Sequence, residues 1–147
     1  MSTLVQTQDL GVLVRITLDD GKVNALSLPM LEALGAACAA AAGAGKSVLV
    51  SGREQVFSAG FDLATLRRGS HEAAAMLEAG ARLAARMLAL PVPIVAAVNG
   101  HAMAMGAFVA LAADHRIGVA GATHRIAANE VAIGLPLPRF ATALLHH

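Results

Sequence analysis

Residues 91–114, PVPIVAAVNGHAMAMGAFVALAAD, constrain the fold more than any other stretch, because two apolar runs meet there at a sharp polar break. The first run, 94–98, is short enough for a fully buried strand. Asn99, Gly100 and His101 interrupt it, and 102–113 has the composition of a buried helix. A strand that turns sharply into a helix leaves free backbone N–H groups at the helix start, where the dipole favours negative charge. Such a junction suits an anion, or an oxyanion that forms only during a reaction.

The 147 residues amount to one domain and can bury a real core. With 56% hydrophobic and 14% charged residues, disorder is excluded and a heavily buried or self-associating chain is favoured. Eleven basic residues balance ten acidic ones and no basic block occurs, so no nucleic-acid partner is expected. The single cysteine, Cys38, cannot form an internal disulfide, and its alanine-rich surroundings suit a small core residue. A membrane span over 87–113 is argued against by Pro91 and Pro93, and by Asn99 and His101 near its middle. The N-terminus lacks the pattern of a signal peptide. The expectation is a soluble cytoplasmic protein.

Residues 12–18 are rich in β-branched side chains and read as a strand closed by the Asp19-Asp20-Gly21 turn. Ser27 can cap a helix over 28–42, with Pro29 in its first turn and Leu31, Leu34, Ala37, Cys38 and Ala41 at helical spacing. Residues 47–51 form a second strand and 52–55 a polar connection. In Phe57-Ser58-Ala59-Gly60-Phe61-Asp62-Leu63, Gly60 permits an unusual backbone turn and Asp62 can cap a short helix reaching Arg68. Over 71–90, Leu77, Ala81, Ala84 and Leu88 make one apolar stripe. After the central stretch come short strands at 115–119 and 124–127, then a last helix over 138–145. The order of elements reads as α/β, with no internal sequence repeat and no domain boundary. His101, His115 and His124 lack a metal-ligand spacing, and Ser51 and Ser58 lack a nucleophile elbow, so neither a metal site nor a serine hydrolase is expected.

Four stretches in this order resemble the crotonase superfamily, the enoyl-CoA hydratase and isomerase group. They are 23–27 (VNALS), 57–63 (FSAGFDL), 97–100 running on to Asp114-His115-Arg116-Ile117, and Asn129-Glu130 with Gly134 and Pro138. Together they span nearly the whole chain. The resemblance implies an α/β spiral of ββα turns that forms a crotonase-like acyl-CoA-binding core over residues 1–147. It further implies two backbone N–H donors for a thioester oxygen, at Phe61 after Ala59-Gly60, and at Met105 before Gly106, where the family often has glycine. No cofactor is implied beyond the coenzyme A that the substrate carries.

Hydratases of that group use two glutamates, because water must be activated and a proton delivered to the adjacent carbon. The first of those positions is Phe108 here, and only Glu130 matches the second. The family's Δ3,Δ2-enoyl-CoA isomerases keep the same single glutamate beside an apolar residue. The resemblance therefore implies an isomerase in which Glu130 moves a proton from C2 to C4 of a 3-enoyl-CoA. Phe61 and Met105 hold the dienolate, Phe108 excludes water, and Phe108, Val131 and Ile133 line a dry pocket. Ala59, Gly60, Asp62 and Gly106 complete the expected substrate contacts, although Asp62 on its own reads as a helix cap.

Members of the family continue past the point matching Leu144 into helices that cover the acyl site and build a trimer. The chain is thus expected to lack the C-terminal helical region, and a homo-oligomer, trimer or hexamer, is implied by the resemblance alone. A second reading is a non-catalytic acyl-CoA-binding homologue, from a shortened gene or a fragment. A third is a hydratase, weakened by Phe108.

Overall fold

The computed structural model describes residues 3–120 and 123–146, with Ser70 and Ile133 described in backbone only. Alternating apolar residues build the main sheet. Strands β1 (Val5–Asp9), β2 (Leu13–Leu18), β4 (Ser47–Ser51), β7 (Ile94–Val98) and β9 (His115–Gly118) lie side by side in that order. β1 runs antiparallel to β2, and every other neighbouring pair is parallel. The register aligns Ile16 with Val50 and Val50 with Ala96, all three fully buried, so one face of the sheet is core.

Each parallel main-sheet strand after β1 hands over to a shorter one. β3 (Ala25–Leu26) pairs with β6 (Gly60–Phe61), while β5 (Gln55–Ser58), β8 (Gly100–Met103) and β10 (Ile126–Ala127) form a small parallel sheet with β8 central. Helices follow: α1 (Leu28–Gly43), α2 (Leu63–Arg68), α3 (Ser70–Leu88), α4 (Met105–Leu111) and α5 (Arg139–Leu145). Strand, short strand and helix thus recur as β2-β3-α1, β4-β5-β6-α2-α3 and β7-β8-α4. This is the expected spiral of ββα turns, a structural repeat with no repeat in the sequence.

Three local expectations change. β1 was not foreseen, because VQTQD is polar and mostly exposed; its partner β2, from Val5↔Leu18 to Asp9↔Val14, makes it a strand. The helix expected over 102–113 is preceded by β8 and begins only at Met105. Parallel pairing on both sides, with β5 and β10, satisfies that backbone and overrides the helical preference of its alanines and methionines. On α3 Met76, Gly80, Leu83, Ala84 and Met87 are buried; of the expected stripe Ala84 is buried, Leu77 and Ala81 are half-buried and Leu88 is exposed. Ala81, Ala84 and Leu88 line a groove of about 280 Å³ with Phe140 and Leu144 of α5. α3 is apolar on two faces, and periodicity alone cannot rank them.

α1 matches its expected span. Ser27 caps it by accepting from the Met30 N–H, and Leu31, Leu34, Cys38 and Ala41 are buried. Burial pushes the Cys38 thiol up to about 12, as suits an inert core residue. Among the described residues, no helix is long and apolar enough to cross a membrane.

Two side-chain amides, Asn99 half-buried and Asn24 fully buried, tie successive turns together. Asn99 donates to the carbonyls of Gly52 (3.0 Å) and Arg53 (2.9 Å) and accepts from the Gly52 N–H (3.0 Å). Asn24, fully buried at φ 52°, donates to the carbonyls of Leu18 (2.9 Å) and Phe57 (3.1 Å) and accepts from the Asp20 N–H (3.0 Å). Replacing it strands buried carbonyls without water. Asn24→Ala is expected to lower unfolding free energy by about 2–4 kcal/mol in urea titrations.

Candidate active site

Two strand–helix junctions meet at one point. At the first, β5 ends at Ser58, Ala59 is exposed, and Gly60 takes φ 95° before Phe61 and the α2 cap. At the second, β8 ends at Met103, and Ala104 holds φ 48°, ψ −123° before α4 opens at Met105. A carbon added to Gly60 would lie 2.8 Å from both the Ala104 Cβ and the Met103 carbonyl oxygen, and 3.3 Å from the Met105 nitrogen. The junctions are therefore in direct contact, and only glycine fits at position 60. The positive φ of Ala104, uncommon for a residue with a side chain, turns the backbone from strand to helix within one residue. The Met105 N–H then sits at a helix start, where no preceding turn supplies an acceptor.

Phe61 is 8% exposed and Met105 is fully buried. Both residues belong to the core cluster, and Met105 has no exposed surface in either side chain or main chain. A hydrogen-bond relay fixes the first junction: the Ser58 hydroxyl donates to the Asn24 carbonyl (2.8 Å) and accepts from the Gly60 N–H (3.1 Å). Ser58, not expected as a nucleophile, supports the junction instead. Its signal was a serine inside an apolar run, two residues before a glycine.

The third part arrives from β10. The Ala127 carbonyl accepts from the Ala104 N–H (2.8 Å), so the segment carrying Glu130 departs from the second junction. A 3-10 turn over Val131–Ile133 follows, and the Leu135 N–H closes the loop onto the Glu130 carbonyl (2.9 Å). Glu130 is 6% exposed, and both its carboxylate oxygens are buried without a hydrogen-bond partner. It is the one buried carboxylate among the described residues. Burial raises its pKa above the ordinary 4.5.

Other expected contacts fall differently. Asp62 caps α2, accepting from the Thr65 hydroxyl (2.6 Å) and from the N–H groups of Thr65 (3.1 Å) and Ala64 (3.4 Å). The Thr65 hydroxyl, with those backbone N–H groups, holds its carboxyl below the usual range. It serves the helix, not a substrate. Phe108 has no exposed surface and meets Phe140 edge-on, with ring centroids 6.0 Å apart. It is thus a core residue under α5 and not an open pocket wall, because α4 turns that face inward. Val131 is 73% exposed and lines no dry pocket, since its 3-10 turn points it outward. The Ile133 side chain lies outside the described residues. Gly106 packs against Ser58, where an added carbon would come within 2.7 Å of the Ser58 carbonyl oxygen. Among the described residues no three His, Cys, Asp or Glu side chains gather into a metal-binding group. A groove of about 350 Å³ between α1 and α3 contains none of the site residues.

The family model described as enoyl-CoA hydratase/isomerase matches residues 9–147. Enoyl-CoA delta isomerase 3 of Arabidopsis thaliana is 35% identical over 105 residues, covering 69% of this chain and 44% of that protein. A probable enoyl-CoA hydratase of Bacillus subtilis is 32% identical over 126 residues, covering 82% and 45%. A crystal structure described as a probable enoyl-CoA hydratase from Mycobacterium tuberculosis superposes with TM-score 0.93 at 40% identity, covering 98% of this chain and 61% of that one. A second structure of the same protein, described as an enoyl-CoA isomerase, gives 0.92 and 41%, covering 99% and 63%. These likenesses show the crotonase fold. The chain spans about half the length of the curated relatives it matches.

Because burial raises the Glu130 pKa, the native state binds that proton more tightly than the unfolded chain does. Stability contributed by the protonated group is complete below 4.5 and is lost as pH rises through the raised native value. Glu130→Gln carries no such titration. In denaturant titrations, its stability relative to wild type is expected to rise between about pH 4 and pH 8. A constant difference across that range would show that Glu130 is solvated in the native state.

Proposed function

The chain belongs to the enoyl-CoA hydratase/isomerase family, and we propose that its site shifts the double bond of a 3-enoyl-CoA thioester to the 2-position. One observation carries this reading: Glu130 is the single buried carboxylate of the described residues, and it lacks any hydrogen-bond partner. One carboxylate suffices for isomerisation, whereas hydration calls for a second group to handle water. Asp62, the nearest acid in sequence to either junction, is committed to capping α2.

In the proposed reaction the Glu130 carboxylate takes a proton from C2 of the bound thioester. The electron pair left at C2 moves onto the carbonyl oxygen, giving a dienolate spread over O1, C2 and C4. The backbone N–H groups of Phe61 and Met105 hold that oxygen, and a pair of preorganised donors lowers such a barrier by several kcal/mol. Glu130 then returns the same proton to C4, which leaves the double bond between C2 and C3. Burial supports the role of base, because an unsolvated carboxylate binds a proton more strongly. The enclosed Phe108 supports it too, since no acid–base group stands at that position of α4.

The exposure of Val131 beside Glu130 favours a second reading, an acyl-CoA-binding protein without turnover, because an open wall admits water. Exposed Ile117, Val119 and Ile126 support assembly into a homo-oligomer, and a chain that stays monomeric at high concentration would count against it.

The test supplies the protein with a 3-enoyl-CoA and, separately, a 2-enoyl-CoA in water. Double-bond migration alone is the expected result; hydration would make it a hydratase, and binding without turnover the second reading. Glu130→Gln is expected to lower kcat by about 10²–10⁴-fold. In the wild type, kcat/KM should rise with pH along a limb lying above 4.5. Unchanged isomerisation in the Gln variant would remove Glu130 as the base.

A further inference from the structure

Helix α3 passes behind both donor junctions, and at Gly80, a buried position, it carries no side chain. A carbon added there would lie 2.6 Å from Cζ and 2.8 Å from Cε1 of Phe61, and 3.3 Å from Cε of Met105. The contacts involve the side chains of the two residues whose N–H groups the proposed reaction uses. Glycine is a poor helix residue, so its place in the middle of a 19-residue helix runs against local preference.

We propose that Gly80 is a positioning residue, a notch in α3 that seats the Phe61 ring and the Met105 methyl together and so sets where both N–H donors point. The inference rests on the reading of those N–H groups as the holders of the thioester oxygen. A methyl at position 80 would force the Phe61 ring back by about 1 Å to reach ordinary carbon–carbon contact. The ring is rigid beyond its two side-chain torsions, so the displacement passes to the Phe61 backbone. Met105, with three soft torsions, absorbs more of its own overlap. The notch therefore acts chiefly through Phe61.

The experiment measures kcat and KM on a 3-enoyl-CoA for wild type, Gly80→Ala, Phe61→Leu and the double variant, with thermal melts of each. Gly35→Ala is the control, since its added carbon meets Leu83 of α3 at an ordinary 3.5 Å and touches neither junction. Gly80→Ala is expected to lower kcat about 10–100-fold, the scale of an ångström-sized misplacement. KM should stay within about twofold, because the loss falls on the transition state. Phe61→Leu unseats the anchor and should lower kcat severalfold. The double variant should recover to the level of Phe61→Leu, because the shorter side chain leaves room for the methyl.

The carbonyl stretch of a bound saturated acyl-CoA reports the same two N–H contacts without turnover. It should move less toward low frequency in Gly80→Ala than in wild type. Unchanged kcat and carbonyl shift in Gly80→Ala would overturn the inference, as would a double variant that melts like wild type yet recovers nothing. If Gly80→Ala does not fold, Phe61→Leu decides: wild-type kcat and carbonyl shift there would overturn the notch. If the wild type shifts the carbonyl but moves no double bond, the isomerase reading fails and the notch is judged by the shift alone. A wild type that binds no acyl-CoA overturns both.

Discussion

Everything at the centre of this protein depends on how closely two backbone segments approach between Gly60 and Ala104. No side chain fits between them, because a single added carbon on Gly60 would overlap both the Ala104 methyl and the Met103 carbonyl. The parallel pairing of β5 with β8 sets the approach, and the Asn24–Ser58–Gly60 relay fixes one side of it. The other side is held by β10, through the Ala127 carbonyl on the Ala104 N–H. Three successive turns of the spiral are thus locked at one point. The fold and the site are the same set of contacts.

Against that rigid frame the protein carries one costly group. A carboxylate with both oxygens buried and unpartnered is unfavourable for folding, and ordinary packing would replace it or give it a donor. The Asp62 carboxyl, only four residues beyond the buried Ser58, shows the alternative: it takes hydrogen bonds from a hydroxyl and two N–H groups and stabilises a helix. The contrast separates an acid that serves structure from one whose buried oxygens are left without a partner.

The sequence made much of this legible, for stated physical reasons. Buried parallel strands such as 47–51 and 94–98 stand out as short apolar runs, and Ser27 and Asp62 cap helices as their chemistry suggests. Motif order points to Phe61 and Met105 at two junctions that the structure brings into contact, and to Glu130, which it buries. What stayed hidden needed partners distant in sequence. β1 is a strand only because β2 pairs with it, and β8 avoids helix only because strands flank it on both sides. The buried positions of α3 lie to one side of the expected stripe, with Ala84 common to both, because two of its faces are apolar, and Gly80 carries no side chain to mark its burial. Phe108 was placed by its motif but not by its environment, which is the core beneath α5. Val131, expected to line a dry pocket, is exposed, because its side of the 3-10 turn is set by the loop's closure and not by its own apolar character.

The proposed donors at positions 61 and 105 belong to the peptide chain, and that has a consequence for how such a site changes over time. A catalytic side chain disappears with one substitution, whereas an N–H group survives nineteen of the twenty residues and is deleted only by proline. The site can therefore drift only in angle and distance, by degrees, while residues opposite it change freely. A scaffold of this kind keeps its main-chain groups and lets the side chains around them be rewritten. Here the side chains at the two donor positions act as ballast that keeps the main chain in place.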